Sequence, residues 1–272
     1  MSESASAVSC LFVHGWGMNR RVWQPLMDSL PAWIDAHSID LPGHGGRHAQ
    51  SLTDLPALAE DLWQSCTQFK ADGQPLLLVG WSLGALACIQ AAAQKNTPLQ
   101  VDGLLLVSSN PCFVAQPGWV HGVDGAVFDQ FAESLAADFS GTIRRFLSLQ
   151  VKGSASGRQI LRELRELILQ EAEPDAASLQ AGLQILKQSD LRAELAQIEL
   201  PVGWALGAQD GLVKASLAEA LPQLMPEATV ECYATAGHAP FLSHSENFTR
   251  QLLEFIQSRI ISTRNRESII VD

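Results

Sequence analysis

The sequence predicts an α/β fold in which a mostly parallel sheet is covered by helices on both faces. Short runs rich in Val, Leu, Ile and Phe alternate along the chain with amphipathic helical patterns, which is typical of such sheets. The 272 residues are enough for one large α/β domain. Apolar residues make up 47% of the chain and charged residues 17%, which favours strands buried on both faces and excludes a disordered chain.

The strand and helix candidates follow one another in a regular order. Six apolar runs are predicted as strands: Ser9–Val13, Ile34–Ile39, Leu76–Val79, Val101–Ser108, Val202–Leu206 and Thr229–Tyr233. Five amphipathic stretches are predicted as helices: Arg20–Leu30, Leu55–Phe69, Leu83–Gln94, Ala215–Leu221 and Glu246–Ile260. Thr53 is expected to cap the second helix, because a threonine side chain accepts a hydrogen bond from a free N–H of the first turn.

The stretch of residues 109–200 breaks this alternation. Its apolar residues recur at helical spacing, as at Leu161, Leu164 and Ile168. A loop of that length must carry its own structure, so we expect a helical insertion. The predicted organisation is a core of residues 1–108 and 201–260, a helical cap (lid) of residues 109–200, and a flexible polar tail of residues 261–272.

Charge and cysteine content exclude several classes of function. The formal net charge of −11 argues against a nucleic-acid binder, which needs a basic excess. The five cysteines show no CxxC spacing and predict neither a disulfide framework nor a zinc site. The uncharged run Leu76–Ala93 is interrupted by glycines and fits a strand, a turn and a helix better than a membrane span. We expect a cytoplasmic monomer that needs no metal or organic cofactor and binds no membrane.

The strongest chemical signal is the sequence Gly-Trp-Ser-Leu-Gly at residues 80–84, which directly follows a predicted strand and opens a helix. A sharp strand-to-helix turn exposes a serine hydroxyl above the sheet, and glycines leave room for the turn. The same turn aims the Leu83 N–H at a developing oxyanion. We therefore predict Ser82 as a nucleophile. The alternative, an incidental serine in a small-residue turn, fits this context less well.

A serine nucleophile needs a base and a residue that orients the base. Asp210 and His238 each follow a predicted strand, and the chain order Ser82, Asp210, His238 is the one that this type of turn requires. His244 is a competing base, but its serine neighbours favour a solvated helix start. For Asp210 the alternative is an ordinary turn aspartate before a glycine.

A second oxyanion donor is expected in the loop after the first strand, His-Gly-Trp-Gly at residues 14–17. Its glycines allow the backbone to approach a ligand, and the Trp16 N–H is the predicted donor. His14 is expected to be structural. The sequence from Asp40 to Gly45 is typical of a tight turn and is assigned no chemistry.

These motifs together resemble the α/β-hydrolase family, and the similarity runs from about Leu11 to Ile260. The resemblance implies about six parallel strands in spatial order 4-3-5-6-7-8 of the family's numbering. Members usually begin with one or two further strands, which are expected to be missing because only eight residues precede Ser9.

Finer features resemble a narrower group, the serine carboxylesterases that hydrolyse a methyl ester carried on acyl carrier protein in biotin synthesis. They are Trp16 in its loop, residues 80–84 and 239–241 of the core, and residues 108–113, 145–150 and 183–187 in and beside the insertion. The resemblance implies an acyl-enzyme mechanism and a substrate site of Trp16, Ser82, Leu83, Phe146, Leu147, Ser148, Leu149, Gln150 and His238. Alternatives are a broad-specificity short-chain carboxylesterase or thioesterase of the same fold, and a non-catalytic ligand-binding protein.

One local basic patch stands out in this acidic chain. Between Arg144 and Arg165 there are six basic residues and one acidic residue, Glu163. An acidic enzyme that meets an acidic carrier protein needs such a patch, since long-range repulsion slows encounter. We expect Arg145, Arg158 and Arg162 to dock acyl carrier protein; the alternative is a solvated helix face.

Overall fold

A computed structural model describes residues 8–70, 73–94, 101–150 and 157–262, except the side chain of Leu149. Within these residues one sheet has the strand order β2-β1-β3-β4-β5-β6, and every neighbouring pair is parallel. The predicted fold class and strand order are confirmed. The strands expected to be missing concern residues 1–7, which lie outside the described residues. The bounds are β1 Val8–Val13, β2 Ile34–Ile39, β3 Leu76–Trp81, β4 Gly103–Val107, β5 Val202–Gly207 and β6 Thr229–Tyr233.

Helices fill the connections between the strands. A 3₁₀ turn Arg20–Trp23 precedes the first α-helix, and a π-helical turn Ile256–Ile261 follows the last. The α-helices of the described residues are α1 Gln24–Met27, α2 Leu55–Phe69, α3 Leu83–Ala93, α4 Ala126–Ala137, α5 Phe139–Gln150, α6 Gly157–Ile168, α7 Ala176–Gln188, α8 Arg192–Leu195, α9 Leu217–Leu224, α10 Pro240–Ser243 and α11 Ser245–Phe255.

Two local predictions are wrong. The continuous helix expected over Arg20–Leu30 is a 3₁₀ turn and a single short helix; Pro25 near the start of α1 has no N–H to bond back to the preceding turn. The N-cap of α2 is Asp54 and not Thr53, because the Asp54 carboxylate accepts the Ala57 N–H at 2.8 Å.

The centre of the sheet is buried on both faces. Every residue of β1, β3, β4 and β5 is buried, whereas the edge strands β2 and β6 are partly exposed. Helix α3 is also buried around most of its circumference, because it packs between the sheet and α2, α7 and α8. This burial accounts for the continuous apolar runs that the sequence shows from β3 into α3.

Helices α4 to α8 lie between β4 and β5 in the chain and pack against the loop that follows β1. The Asn19 amide donates to the Ile168 carbonyl at 3.0 Å, and the Trp16 indole N–H donates to the Leu179 carbonyl at 2.7 Å. A Cβ on Gly182 of α7 would lie 2.7 Å from Cδ1 of Trp16. The ends of α6 and α7 are therefore held directly over the β1 loop.

Two glycines allow close approaches at the β3–α3 turn. A Cβ on Gly84 would lie 2.5 Å from the His14 carbonyl oxygen and 2.6 Å from that of Val13, so this glycine sets the distance between β1 and the turn. The nearest atoms there are all backbone atoms, and no flexible side chain can move aside to make room. A Cβ on Gly80 would lie 2.6 Å from the Ala85 Cα and 2.8 Å from the Cys88 Sγ, so this glycine lets β3 and α3 approach each other.

We expect Gly84→Ala to lower the free energy of unfolding by about 1–3 kcal/mol or more, because the added methyl group overlaps two backbone carbonyls. Urea denaturation with a circular dichroism signal measures the change. Gly211→Ala is the matched control, since no atom lies within 4 Å of a Cβ there. Equal stability of the two variants would contradict the close approach.

Candidate active site

Ser82 lies at the turn between β3 and α3 in a conformation that non-glycine residues rarely adopt. Its φ is 54° and its ψ is −113°, which costs on the order of 1–3 kcal/mol. Its N–H donates to the Val107 carbonyl at 2.9 Å, and the Ser109 hydroxyl donates to its carbonyl at 3.0 Å. These hydrogen bonds from the neighbouring strand hold the turn in its strained shape.

The structure brings Asp210 and His238 together. His238 Nδ1 lies 2.7 Å from an Asp210 carboxylate oxygen, and both side chains are almost completely buried. The other oxygen of Asp210 accepts the N–H groups of Leu212 and Val213 at 2.8 and 3.2 Å. A Cβ on Gly207 would lie 2.0 Å from the Gly237 carbonyl oxygen, so a glycine at the last position of β5 is needed for the loops that carry Asp210 and His238 to meet.

His238 is held beside the Ser82 turn through the residue that precedes the serine. The Trp81 indole N–H donates to the His238 carbonyl at 2.7 Å, and the two rings are 5.8 Å apart. The Gln150 carbonyl accepts the Ala239 N–H at 3.1 Å. Among the described residues, the buried Nε2 of His238 has no hydrogen-bond partner. With Nδ1 directed to a carboxylate, Nε2 is the nitrogen that can accept a proton.

The loop after β1 lies against the nucleophile turn. A Cβ on Gly15 would lie 3.2 Å from the Ser82 Cβ. His14 braces this loop: its Nδ1 donates to the Gly15 carbonyl at 2.8 Å, which leaves Nε2 to accept the Leu41 N–H at 3.0 Å. The expectation that His14 is structural agrees with these contacts.

His44 braces the same loop from the other side. Its Nδ1 donates to the Pro42 carbonyl at 2.9 Å, and its Nε2 accepts the Gly17 N–H at 3.3 Å. Burial lowers the pKa of His44 to about 3 and that of His14 to about 4, so both rings are neutral near pH 7. The sequence showed His44 only as a loop residue; nothing in its neighbours indicated that it would bind Gly17.

A small apolar cavity of about 20 Å³ lies above Ser82. It has room for about one water molecule. Its walls come from the β1 loop, from α4, α5 and α7, and from the loops after β4 and β5: Trp16, Phe113, Val127, Phe128, Phe131, Phe146, Leu183, Leu186 and Leu212. Most of these residues were not predicted, because helical periodicity shows that a face is buried but not what it faces.

The residues expected to bind substrate separate into several locations. Trp16, Ser82 and Phe146 line the cavity, and Trp16 and Phe146 pack edge to face with centroids 4.8 Å apart. Leu147 and Ser148 line other grooves, on either side of α5. The Gln150 side chain is buried and donates to the Phe146 carbonyl at 2.9 Å, whereas the side chain of Leu149 lies outside the described residues. Leu83 opens α3 and packs towards Gly182.

The three arginines predicted to dock a partner lie at the surface, and the competing histidine, His244, lies apart from Asp210. Arg158 and Arg162 are exposed on α6 and form no ion pair with the residues that the structure describes, whereas Arg145 lies 3.6 Å from Asp138. His244 bonds to Thr235 at 2.9 Å and not to Asp210. Lys152 lies outside the described residues.

Metal sites and membrane spans are both missing from the described part of the chain. Across the described ranges, no three His, Cys, Asp or Glu side chains are grouped so that they could hold a metal ion. In the same ranges, no helix has the length and apolar character needed to cross a membrane.

The model of the alpha/beta hydrolase family matches residues 10–251. The chain belongs to the alpha/beta hydrolase family, as its motifs predicted. It is 38% identical over 249 residues to a pimeloyl-[acyl-carrier protein] methyl ester esterase of Photobacterium profundum, covering 91% of this chain and 94% of that protein. It is 40% identical over 240 residues to the protein of the same name from Nitrosomonas europaea, covering 88% and 91%.

Solved structures show the same fold at lower identity. An esterase from Exiguobacterium antarcticum superimposes with a TM-score of 0.83 at 19% identity, covering 93% of each chain. A bromoperoxidase from Bacillus anthracis gives a TM-score of 0.81 at 16% identity, again covering 93% of each chain.

We expect the stability of the protein to fall between pH 7 and pH 5 because of His14 and His44. The unfolded chain binds protons at both histidines below their ordinary pKa of 6.5, whereas the folded chain does so only near pH 4 and 3. Unfolding therefore takes up protons on acidification, and each histidine removes about 2 kcal/mol of stability over this interval.

Urea denaturation at pH 7 and pH 5 measures this loss. In His44→Gln, the loss between the two pH values should be about 2 kcal/mol smaller than in the wild type, since one of the two protons is no longer taken up. An equal loss in variant and wild type would contradict the buried, neutral state of His44.

Proposed function

We propose that this protein is a serine carboxylesterase that hydrolyses the methyl ester of pimeloyl-acyl carrier protein in biotin synthesis. The single observation that best supports the reaction is the buried Asp210–His238 pair, 2.7 Å apart and held by Trp81 next to the strained Ser82. Such a pair orients an imidazole and stabilises its charged form beside a nucleophile.

The reaction proceeds in two steps. The Ser82 Oγ attacks the ester carbonyl carbon while His238 Nε2 takes the serine proton, and the N–H groups of Trp16 and Leu83 donate to the oxyanion. The oxyanion collapses, the bond to the methoxy oxygen breaks, and His238 gives its proton to the leaving group to form methanol. His238 then takes a proton from water, which attacks the acyl-enzyme; the ester bond to Ser82 breaks, and His238 returns the proton to the Ser82 Oγ. Asp210 orients the imidazole of His238 and stabilises its charged form in both steps.

The substrate assignment draws on the relatives and on two features of the chain. The curated relatives that share 35–40% of its residues over about nine-tenths of its length bear the name pimeloyl-[acyl-carrier protein] methyl ester esterase. The residues above Ser82 are mostly aromatic and aliphatic, the kind of surface against which a hydrocarbon chain packs. We also propose that residues 109–200 act as a cap and that Arg145, Arg158 and Arg162 dock the carrier protein.

We further propose that the protein acts in the cytoplasm as a monomer. The described cysteines are free; Cys10, Cys66, Cys88 and Cys112 are buried and Cys232 is exposed, a pattern usual in a reducing compartment. The competing assignment, a short-chain esterase or thioesterase without a carrier protein, predicts equal turnover of free and carrier-linked acyl esters.

Ser82→Ala and His238→Ala should each lower kcat on the carrier-linked methyl ester by about 10³-fold or more, because members of a triad act as a unit. Methanol release measured by gas chromatography follows the reaction, and far-UV circular dichroism checks the fold. His244→Ala is the matched control: this neighbouring histidine bonds to Thr235 and should keep wild-type turnover. Near-normal activity of Ser82→Ala or His238→Ala would refute the assignment.

Replacing Arg145, Arg158 and Arg162 with Glu should raise KM for the carrier-linked ester by roughly tenfold or more, because the acidic carrier then meets like charge. Steady-state kinetics at low and high salt measure the change, which should shrink as salt screens exposed charges. A short free ester should be turned over as by the wild type, and Arg250→Glu, an exposed site on α11, is the charge control. An unchanged KM would contradict the docking role and would indicate that these arginines belong to an ordinary solvated helix face.

A further inference from the structure

The α5–α6 hairpin encloses a second cavity that shares no lining residue with the cavity above Ser82. Its volume is about 260 Å³, a little below the range of about 300–1,000 Å³ that is usual for drug-sized ligands. The walls are largely apolar and come from both helices, with Gly17 of the β1 loop on one side: Phe139, Ile143, Leu147, Ile168 and Leu169. A small ligand with a hydrocarbon part fits such walls.

One residue that lines this cavity, Leu169, is an apolar side chain exposed to solvent. It is 75% exposed, one of two large apolar side chains in the described residues that are so exposed, and it follows the last residue of α6. Leu147 was expected in the acyl site but lines this cavity instead, while its neighbour Phe146 faces Ser82. Helix α5 therefore separates two apolar spaces.

Two arginines and two glutamates line the cavity, and one buried guanidinium N–H among them lacks an acceptor in the described residues. Arg165 has a buried Nε with no hydrogen-bond partner among the described residues, and Arg144 forms no ion pair with them. Of the two acidic lining residues, Glu171 is held by Arg21 at 2.8 Å, and Glu173 is exposed to solvent. A buried guanidinium N–H without an acceptor is costly, so a bound anion would be stabilised here.

We propose that this cavity is a binding site for an amphipathic carboxylate, that is, an apolar chain with one terminal carboxylate. The chain packs against the side chains of α5 and α6 and against Leu169, and the carboxylate accepts hydrogen bonds from Arg144 and Arg165. A planar guanidinium matches a carboxylate with two parallel hydrogen bonds, which a neutral alcohol cannot accept in the same way. This site is independent of the reaction proposed at Ser82.

Calorimetric titration of the full chain with octanoate tests the site. Arg144→Gln and Arg165→Gln should each weaken octanoate binding by about tenfold or more, since each removes charge-assisted hydrogen bonds. Octanol, which has the same chain without the charge, should bind more weakly by a similar factor. Arg158→Gln is the matched control, because it changes an exposed arginine of α6 that does not line the cavity.

A variant that fills the cavity separates this site from the one at Ser82. Ala172 lines the cavity and is exposed, so Ala172→Trp should fold and should abolish the octanoate binding that depends on the two arginines. Thermal unfolding checks each variant, and Arg144→Gln, at an exposed position, gives the result even if Arg165→Gln does not fold. The proposal is overturned if octanoate shows no saturable binding, if octanol binds equally well, or if binding survives unchanged in Arg144→Gln and Ala172→Trp, which would place octanoate elsewhere.

Discussion

The close approach of two backbone segments is the constraint on which the candidate active site depends. The β3–α3 turn lies so near the end of β1 that only glycine fits at position 84. In the loop that follows β1, a Cβ on Gly15 would lie 3.2 Å from the Ser82 Cβ. This approach brings the loop after β1 and the first turn of α3, which carry the proposed oxyanion donors Trp16 and Leu83, next to one serine. Their positions are set by packed backbone and not by flexible side chains, which is the kind of preorganisation that stabilises an oxyanion.

The surrounding structure maintains this arrangement at a cost in local strain. Ser82 is held at a positive φ by hydrogen bonds to β4 and its following loop, and the strands on either side are completely buried. Two neutral histidines, His14 and His44, satisfy backbone N–H groups of the loops opposite. Buried imidazoles suit this role near neutral pH, but they make the hydrogen bonds that hold the loop after β1 sensitive to protonation in acid.

The sequence allowed prediction of the sheet and of the three candidate triad residues from local patterns, and the resemblance to the α/β-hydrolase family supplied the strand order. A buried strand followed by a glycine-flanked serine is typical of a nucleophile turn, and chain order then selects Asp210 and His238. Features that depend on individual side chains were missed: Asp54 caps α2 in place of its neighbour Thr53, and Pro25, at the start of α1, separates that helix from the 3₁₀ turn before it. Phe146 and Leu147 line different cavities on the two sides of α5, and predicting this would require knowing which helices flank α5.

Acylation of Ser82 can be observed directly. Rapid quenching of the reaction with p-nitrophenyl butyrate, followed by peptide mass spectrometry, should show a butyryl group on the peptide that contains Ser82, formed at the rate of the initial nitrophenol release. His238→Ala should show neither the release nor the adduct at that rate. A burst of nitrophenol with the acyl group on another residue, or turnover with no covalent intermediate under any quench time, would contradict the role of Ser82 as the nucleophile.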